Sequence, residues 1–348
     1  MKKNKPIVGI TLGDPGSIGP EIVLKSIINK NNSMYDMCYP LVIGDLQLVE
    51  YNINKLFKND SITINLLKED ELDNEDNYDK GNTINLLDLN NTNMNKLTIG
   101  EISSHNGQVS FEFIKKSIEL GIDNKIDSVA TAPINKEALK AAKINYIGHT
   151  EMYSDFLEKD INKTITMFEV GELRTFFLTR HVSLLQAISS ISQTKIVDMM
   201  QAGFEALNSL GIKEPKVVVA ALNPHAGESG LFGKEEIEHI IPAIDKLKDR
   251  GLNVEGPIGA DSVYHFALRN NYDAVLSLYH DQGHIASKMY DFNKTISMTL
   301  GLPFLRTSVD HGTAFDLAYK NQAEYLSMYE AIKKAAIYGP KVRSFHNS

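Results

Sequence analysis

The stretch Asp273–Leu317, DAVLSLYHDQGHIASKMYDFNKTISMTLGLPFLRTSVDHGTAFDL, decides how this chain is read. It opens with a short apolar run, Ala274–Leu278, of the kind that forms a buried strand. The run ends in Tyr279-His280-Asp281-Gln282-Gly283-His284, where polar side chains and a glycine replace apolar ones. In α/β proteins such strand ends often carry chemistry, because the sheet is rigid and the loop beyond it is open to ligand. A second apolar run, Ile296–Leu300, leads to Arg306 and then to Asp310-His311-Gly312-Thr313. One loop histidine is usually a capping or solvated residue. His280, His284 and His311 together with Lys288 and Arg306 are poorly explained that way, and we read the stretch as half of an active site.

The same pattern recurs outward from it. Ile7–Leu12 reads as a strand, followed by the loop Gly13-Asp14-Pro15-Gly16-Ser17-Ile18-Gly19 and a helix over Glu21–Asn29 with Pro20 in its first turn. Strand, glycine loop and helix can present N–H groups to an anion. The G-x-x-G-x-x-G spacing is not the dinucleotide fingerprint, however, and a turn is the plainer reading. The strand Asp127–Pro133 ends near Lys136, a candidate general acid/base or anion ligand. Gly148-His149-Thr150-Glu151 opens a helix for which Thr150 reads first as the N-cap. Ile165–Val170 and Leu173–Thr179 predict a hairpin turned at Gly171-Glu172, which delivers Arg180-His181. Lys216–Leu222 is the clearest buried strand and runs into Asn223-Pro224-His225. Helices are predicted over Asp45–Phe57, Ser103–Leu120, Thr194–Leu210, Glu235–Arg250, Val263–Arg269 and Tyr325–Tyr338. This alternation predicts an α/β fold with a mainly parallel sheet, in two lobes around a cleft.

Bulk properties narrow the chemistry. A chain of 348 residues is long enough for two domains or lobes. Its net charge of −8 gives no nucleic-acid footprint, so an anionic ligand must be met by a local cationic cluster. The single cysteine, Cys38, excludes an intrachain disulfide and a thiolate metal cluster, leaving histidines and carboxylates as metal donors. No apolar run is long enough for a signal peptide or a membrane span, and a cytoplasmic protein with no membrane partner is expected. His181, His225 and His280 each follow a strand-like run, and a catalytic metal commonly takes three protein ligands. Three separate turn-stabilising histidines are the alternative. Lys136, Lys288 and Arg306 are placed to neutralise an anionic ligand such as a phosphorylated acid.

Taken in order, GDPGSIGPEI, TAPINKEAL, GHTE, LNPHAGESGLFG, YHDQG and LGLPFLRTSVDHGTAFDLA resemble the 4-hydroxythreonine-4-phosphate dehydrogenase family over nearly the whole chain. A more distant likeness is to isopropylmalate and isocitrate dehydrogenases, through the glycine loop and HGTAFD. The resemblance implies metal-dependent oxidation of a phosphorylated hydroxy acid with NAD, or with NADP, in a homodimer with shared active sites. It implies His181, His225 and His280 as metal ligands, His280 coming from the partner subunit. Zinc leads, with magnesium, manganese, cobalt and nickel as alternatives. It implies substrate contacts from His149, Thr150, Lys288, Ser297 and Arg306, and a nicotinamide loop of His311, Gly312, Thr313, Ala314 and Asp316. By analogy, residues 1–130 with 290–348 would form one lobe, and residues 131–289 a second with the metal ligands and dimer interface. Lys136 and Asp281 are the candidate bases for the substrate hydroxyl.

Ser297 stands where the vitamin B6 enzymes usually carry Asn, and His284-Ile285 where they usually carry Leu-Pro. HDQGHI and HGTAFD resemble instead the branch acting on 4-phospho-D-threonate and 4-phospho-D-erythronate. Oxidation at C3 of such an acid, with loss of CO₂, gives dihydroxyacetone phosphate. The alternative substrate is 4-phosphohydroxy-L-threonine, in pyridoxal phosphate synthesis. A protonated His284 would repel the ammonium of that substrate while tolerating a hydroxyl. A non-catalytic phospho-metabolite sensor would have lost metal ligands or the nicotinamide loop, and neither is lost; a metal-dependent hydrolase would not need HGTAFD.

Overall fold

The computed structural model describes residues 5–28, 34–57, 61–159, 164–269 and 272–347. The chain divides into two compact units, one of residues 1–164 and 302–348, the other of residues 165–301. In the first, β1 (Ile7–Thr11) leads through the glycine loop into α1 (Gly19–Ile27), and β2 (Tyr39–Gly44) into α2 (Leu46–Leu56). β3 (Thr63–Leu66) and β4 (Thr83–Asp88) precede α3 (Ser104–Ile122), and β5 (Ser128–Thr131) precedes α4 (Lys136–Ala141) and α5 (His149–Phe156). The middle unit opens with the hairpin β6 (Ile165–Val170) and β7 (Leu173–Phe177), then α6 (Leu184–Ser189), α7 (Gln193–Ser209) and β8 (Lys216–Ala220). It continues with α8 (Ile241–Asp249), β9 (Asn253–Ile258), α9 (Val263–Arg269), β10 (Ala274–Ser277), α10 (His280–Tyr290) and β11 (Ile296–Leu300). The chain returns to the first unit with β12 (Leu305–Val309) and α11 (Leu326–Asn347).

The first unit's strands run in the order β3-β4-β2-β1-β5-β12, every pair parallel. A parallel strand covered by helices on both faces is apolar throughout, which is why β1 shows no alternation. Val8 and Ile10 join one buried cluster with α1 and α11, while Ile7 joins another with Ile114 and Ile118 of α3. On that second side a Cβ on Gly9 would lie 2.7 Å from Ile126 Cδ1, so a larger residue there needs the Ile126 side chain to shift. Helix starts follow ordinary capping chemistry: Asp45 Oδ1 accepts the Leu48 N–H and begins α2.

The middle unit's order is β11-β6-β7-β10-β8-β9, with antiparallel pairing at β11–β6 and β6–β7 and parallel pairing beyond. Gly171, at φ +58°, turns the hairpin. The fold is thus α/β with a mainly parallel sheet. The lobe boundaries expected at 130 and 290 fall instead at 164 and 301. The physical reason is local: Leu139 of α4 and Met152 and Tyr153 of α5 are buried in the same cluster as Val129 of β5, and β11 pairs with β6.

Two predicted elements change character. The expected helix Glu235–Arg250 begins as a π turn over Glu236–Ile240 before α8, where Pro242 has no N–H for the ladder. The polar run after β10 is not an open loop, because His280 already begins α10. The last residue of the helix predicted over Glu21–Asn29 lies outside the described residues. Among the described residues no helix is long and apolar enough to cross a membrane.

Candidate active site

In the middle unit, β7 and β10 are stitched together beyond their ladder. Leu178 N–H donates to Ser277 O (2.8 Å), and Thr179 Oγ1 to Leu278 O (2.8 Å). This brings His181, just past β7, and His280, at the start of α10, to 6.1 Å between ring centroids. His280 Nδ1 is 2.6 Å from Asp281 Oδ1, a contact that orients the imidazole. Asp281, read from sequence as a candidate base, thus has an orienting contact with His280. Gln282 accepts the Leu278 N–H (2.7 Å) and donates to Ala221 O (2.8 Å), tying the end of β10 to that of β8. A Cβ at Gly283 would lie 2.5 Å from Phe177 Cε1, so glycine is needed where α10 meets β7.

His225 lies beyond β8 in a left-handed run, His225 to Ser229, with φ between +41° and +79°. Such a run of mostly non-glycine residues is costly and persists only where its surroundings enforce it. Glu236 supplies the enforcement: Oε1 accepts the N–H groups of Leu222 (2.9 Å) and Asn223 (2.8 Å), and Oε2 accepts Asn223 Nδ2 (2.8 Å). Among the described residues, no three His, Cys, Asp or Glu side chains converge on a common ion position. A single chain therefore assembles the pair His181–His280 and leaves His225 apart. Two imidazoles at that separation suit two ligands of one divalent ion.

His284 is buried rather than ligand-facing. Four residues after His280 on the same helix face, its ring stacks on His280 (4.0 Å) and Phe177 (4.8 Å), with Phe168 edge-on (4.4 Å). Burial, with His280 beside it, pushes its pKa down to about 4. With its pKa lowered, the imidazole stays neutral near pH 7, so the repulsion of a substrate ammonium, expected only from a protonated His284, does not arise. Ser297 of β11 is the register partner of Phe168, and Lys288 lies in the last turn of α10 with Nζ 5.2 Å from the Phe292 ring.

In the terminal unit, Asn135 caps α4 and places Lys136 at its first position, with Cε 3.9 Å from where a Cβ on Gly148 would stand. Gly148, not Thr150, caps α5; His149 and Thr150 occupy the helix's first turn. His149 Nε2 is enclosed without a hydrogen-bond partner, and burial with Arg306 nearby holds the imidazole well below the usual histidine range. Arg306 of β12 is buried and donates to Thr131 Oγ1 from Nε (3.1 Å) and Nη2 (2.9 Å). The loop after β12 leaves Gly312 open, with no atom within 4 Å of a Cβ built there, and Ala314 at φ +40°. Asp316 lies in the short turn Phe315–Leu317 that follows, while His311 Nδ1 is 3.1 Å from Gly312 O. Thr313 O accepts the Ile18 N–H (3.2 Å), seating the HGTA loop on the glycine loop.

The glycine loop itself is a turn. Its Gly16 and Gly19 N–H groups are taken internally by Asp14 Oδ1 (2.8 Å) and Ser17 Oγ (3.0 Å).

The model of the family described as "Pyridoxal phosphate biosynthetic protein PdxA" matches residues 36–335. The chain belongs to the PdxA family. A "Putative D-threonate 4-phosphate dehydrogenase" of Clostridium botulinum (strain Langeland) is 49% identical over 343 residues, 99% of this chain and 100% of that protein. One of the same name from Fusobacterium nucleatum is 48% identical over 337 residues, covering 97% of this chain and 98% of that one. The solved 4-hydroxythreonine-4-phosphate dehydrogenase of Klebsiella pneumoniae superposes with a TM-score of 0.85 at 32% identity, over 96% of this chain and 99% of that one. Within this PdxA chain, sequence reading missed Gln282, Glu236 and Thr131. Each is a polar residue beside a strand end or within a strand that turns out to be buried, and only burial marks it.

Proposed function

We propose that this protein is an NAD-dependent dehydrogenase that oxidises 4-phospho-D-threonate or 4-phospho-D-erythronate at C3, with decarboxylation to dihydroxyacetone phosphate. The observation that carries the reading is the pairing of His181 and His280 at adjoining strand ends, with His280 held by Asp281. It stands in a chain nearly half identical, end to end, to proteins named for D-threonate 4-phosphate. When bound, the nicotinamide accepts the C3 hydride and a divalent cation, zinc foremost, polarises the substrate oxygens.

His181, His225 and His280 would hold that cation; with His181 and His280 paired in one chain, His225 would be the ligand from the other subunit, where the resemblance implied His280. His311, Gly312, Thr313, Ala314 and Asp316 would carry the nicotinamide loop. Arg306, Lys288, His149 and Thr150 bind the anionic substrate, which supplies binding energy remote from C3. Ser297, the register partner of Phe168, is the further substrate contact. Lys136 takes the proton of the C3 hydroxyl. The resulting acid has its carboxylate β to a ketone, so the C1–C2 bond breaks with its electron pair left at C2. Protonation there completes dihydroxyacetone phosphate, and CO₂ departs.

Exposed apolar side chains crowd the middle unit, Leu185, Leu231, Ile285, Met289 and Phe292 among them, and a second copy of the chain is their proposed cover. The competing substrate is 4-phosphohydroxy-L-threonine, whose ammonium a neutral His284 does not repel and which the solved relative's name carries. The deciding test is kcat/KM for the three phosphorylated acids under one set of conditions. The two hydroxy acids are expected to lead; a clear preference for the amino acid phosphate overturns the assignment.

A further inference from the structure

We infer that Thr131 is a positioning residue for Arg306, holding its guanidinium in the orientation from which it grips the substrate's anionic end. The inference rests on the reading of Arg306 as a substrate ligand given above. Thr131 and Arg306 lie on the neighbouring parallel strands β5 and β12. Arg306 Nε–H and Nη2–H both donate to the one hydroxyl oxygen, at 3.1 and 2.9 Å. The hydroxyl proton itself is directed to Thr307 O (3.2 Å), so both lone pairs of Thr131 Oγ1 face the guanidinium. Two N–H groups converging on one point fix the plane of the fork.

The Tyr153 ring backs the same group, 5.8 Å from Cζ to centroid. That ring cannot swing away: it is wholly buried, its hydroxyl is 2.6 Å from Ser117 Oγ, and it meets Phe304 edge-on at 6.1 Å. The pairing of β5 with β1 and β12 is made by backbone groups and does not need a hydroxyl at position 131. Valine would fill the same space in the sheet. What threonine adds is an acceptor for a buried cation whose long side chain would otherwise lose rotamer freedom on meeting substrate.

The test is steady-state kinetics with 4-phospho-D-threonate on Thr131→Val, Thr131→Ala and Thr131→Ser, with thermal midpoints recorded for each. Loss of a hydrogen bond to a charged group should raise KM about tenfold or more in the Val and Ala variants, with kcat within about threefold of wild type. Thr131→Ser should stay near wild type. Ala and Ser lose the same methyl group, so their comparison decides the matter even where Thr131→Val fails to fold. A purely structural role would lower midpoints without splitting KM from kcat and without rescue by serine. Arg306→Ala separates the two levels of the reading. If it raises KM while folded Thr131→Ala does not, the positioning role is wrong and the ligand role stands. If Arg306→Ala leaves KM unchanged, the ligand role fails and Thr131 has nothing to position. A wild type that turns over none of the three phosphorylated acids defeats the functional reading, and this inference with it.

Discussion

Asp14 lies fully buried in the glycine loop, with Oδ1 on the Gly16 N–H and the Asn106 side chain beside the carboxyl, both working against the effect of burial. Burial raises its pKa from 3.8 to about 6. The folded chain therefore holds a proton there that the unfolded chain has lost between those two values. Stability from this group is greatest below the lower value, falls as pH rises through about 6, and stays reduced above it. The penalty is about 3 kcal/mol on the size of that shift. Asp14→Asn should accordingly stabilise the protein at about pH 8, with the gain vanishing near pH 4, as read from denaturant midpoints of both proteins across that range. An equal gain at both ends would show that the carboxyl is not neutral in the fold. At this scale the sequence was informative about identity and poor about environment. His181, His280 and Arg306 could be singled out as candidates because they stand at or shortly after the ends of apolar runs. The neutrality of His284 was not legible, since it depends on Phe168 and Phe177 from another hairpin closing over the ring.

At the scale of elements, β8 and the left-handed run that follows it depend on Glu236, a buried carboxylate fourteen residues past Leu222. Glu236→Gln places an NH₂ group against the Asn223 amide nitrogen, donor against donor. We expect a stability loss of about 1–3 kcal/mol in denaturant titration. Affinity for zinc, by calorimetry, should fall about tenfold or more as the His225 loop loosens. A variant with wild-type stability and zinc affinity would remove Glu236 from the site's support. Gly227→Ala should act in the same direction, since a Cβ there would meet Glu236 Oε2 at 2.8 Å and φ is +79°. The hairpin delivering His181 was readable from two apolar runs around Gly171. By contrast β9 was not, because Gly256-Pro257 within it reads as a breaker and its place at the sheet edge is a long-range fact. The helical start at His280 was hidden for a similar reason: HDQGH is polar, and its fit against β7 rests on Gly283 lying against Phe177.

For the whole molecule, the exposed apolar residues of the middle unit and the absence of a three-ligand cluster among the described residues of one chain point the same way. A dimer mass in analytical ultracentrifugation is expected, and Met289→Glu, which charges a side chain 81% exposed, should shift the equilibrium toward monomer and lower turnover. A monodisperse, active monomer would contradict the shared site. His225→Ala and His280→Ala should each be inactive alone, and mixed subunits should regain activity that neither parent shows. The mixture staying inactive would place both ligands in one chain. That the α/β class and the discontinuous chain path could be anticipated follows from strand-helix alternation and the likeness at both termini. The boundaries could not, because they depend on which core Leu139, Met152 and Tyr153 join. The central claim is tested most directly by following products from 4-phospho-D-threonate and NAD⁺. The expected result is NADH, CO₂ and dihydroxyacetone phosphate in equal amounts, abolished by a chelator and restored by added divalent metal. NADH formed without dihydroxyacetone phosphate, or turnover indifferent to the chelator, would contradict it.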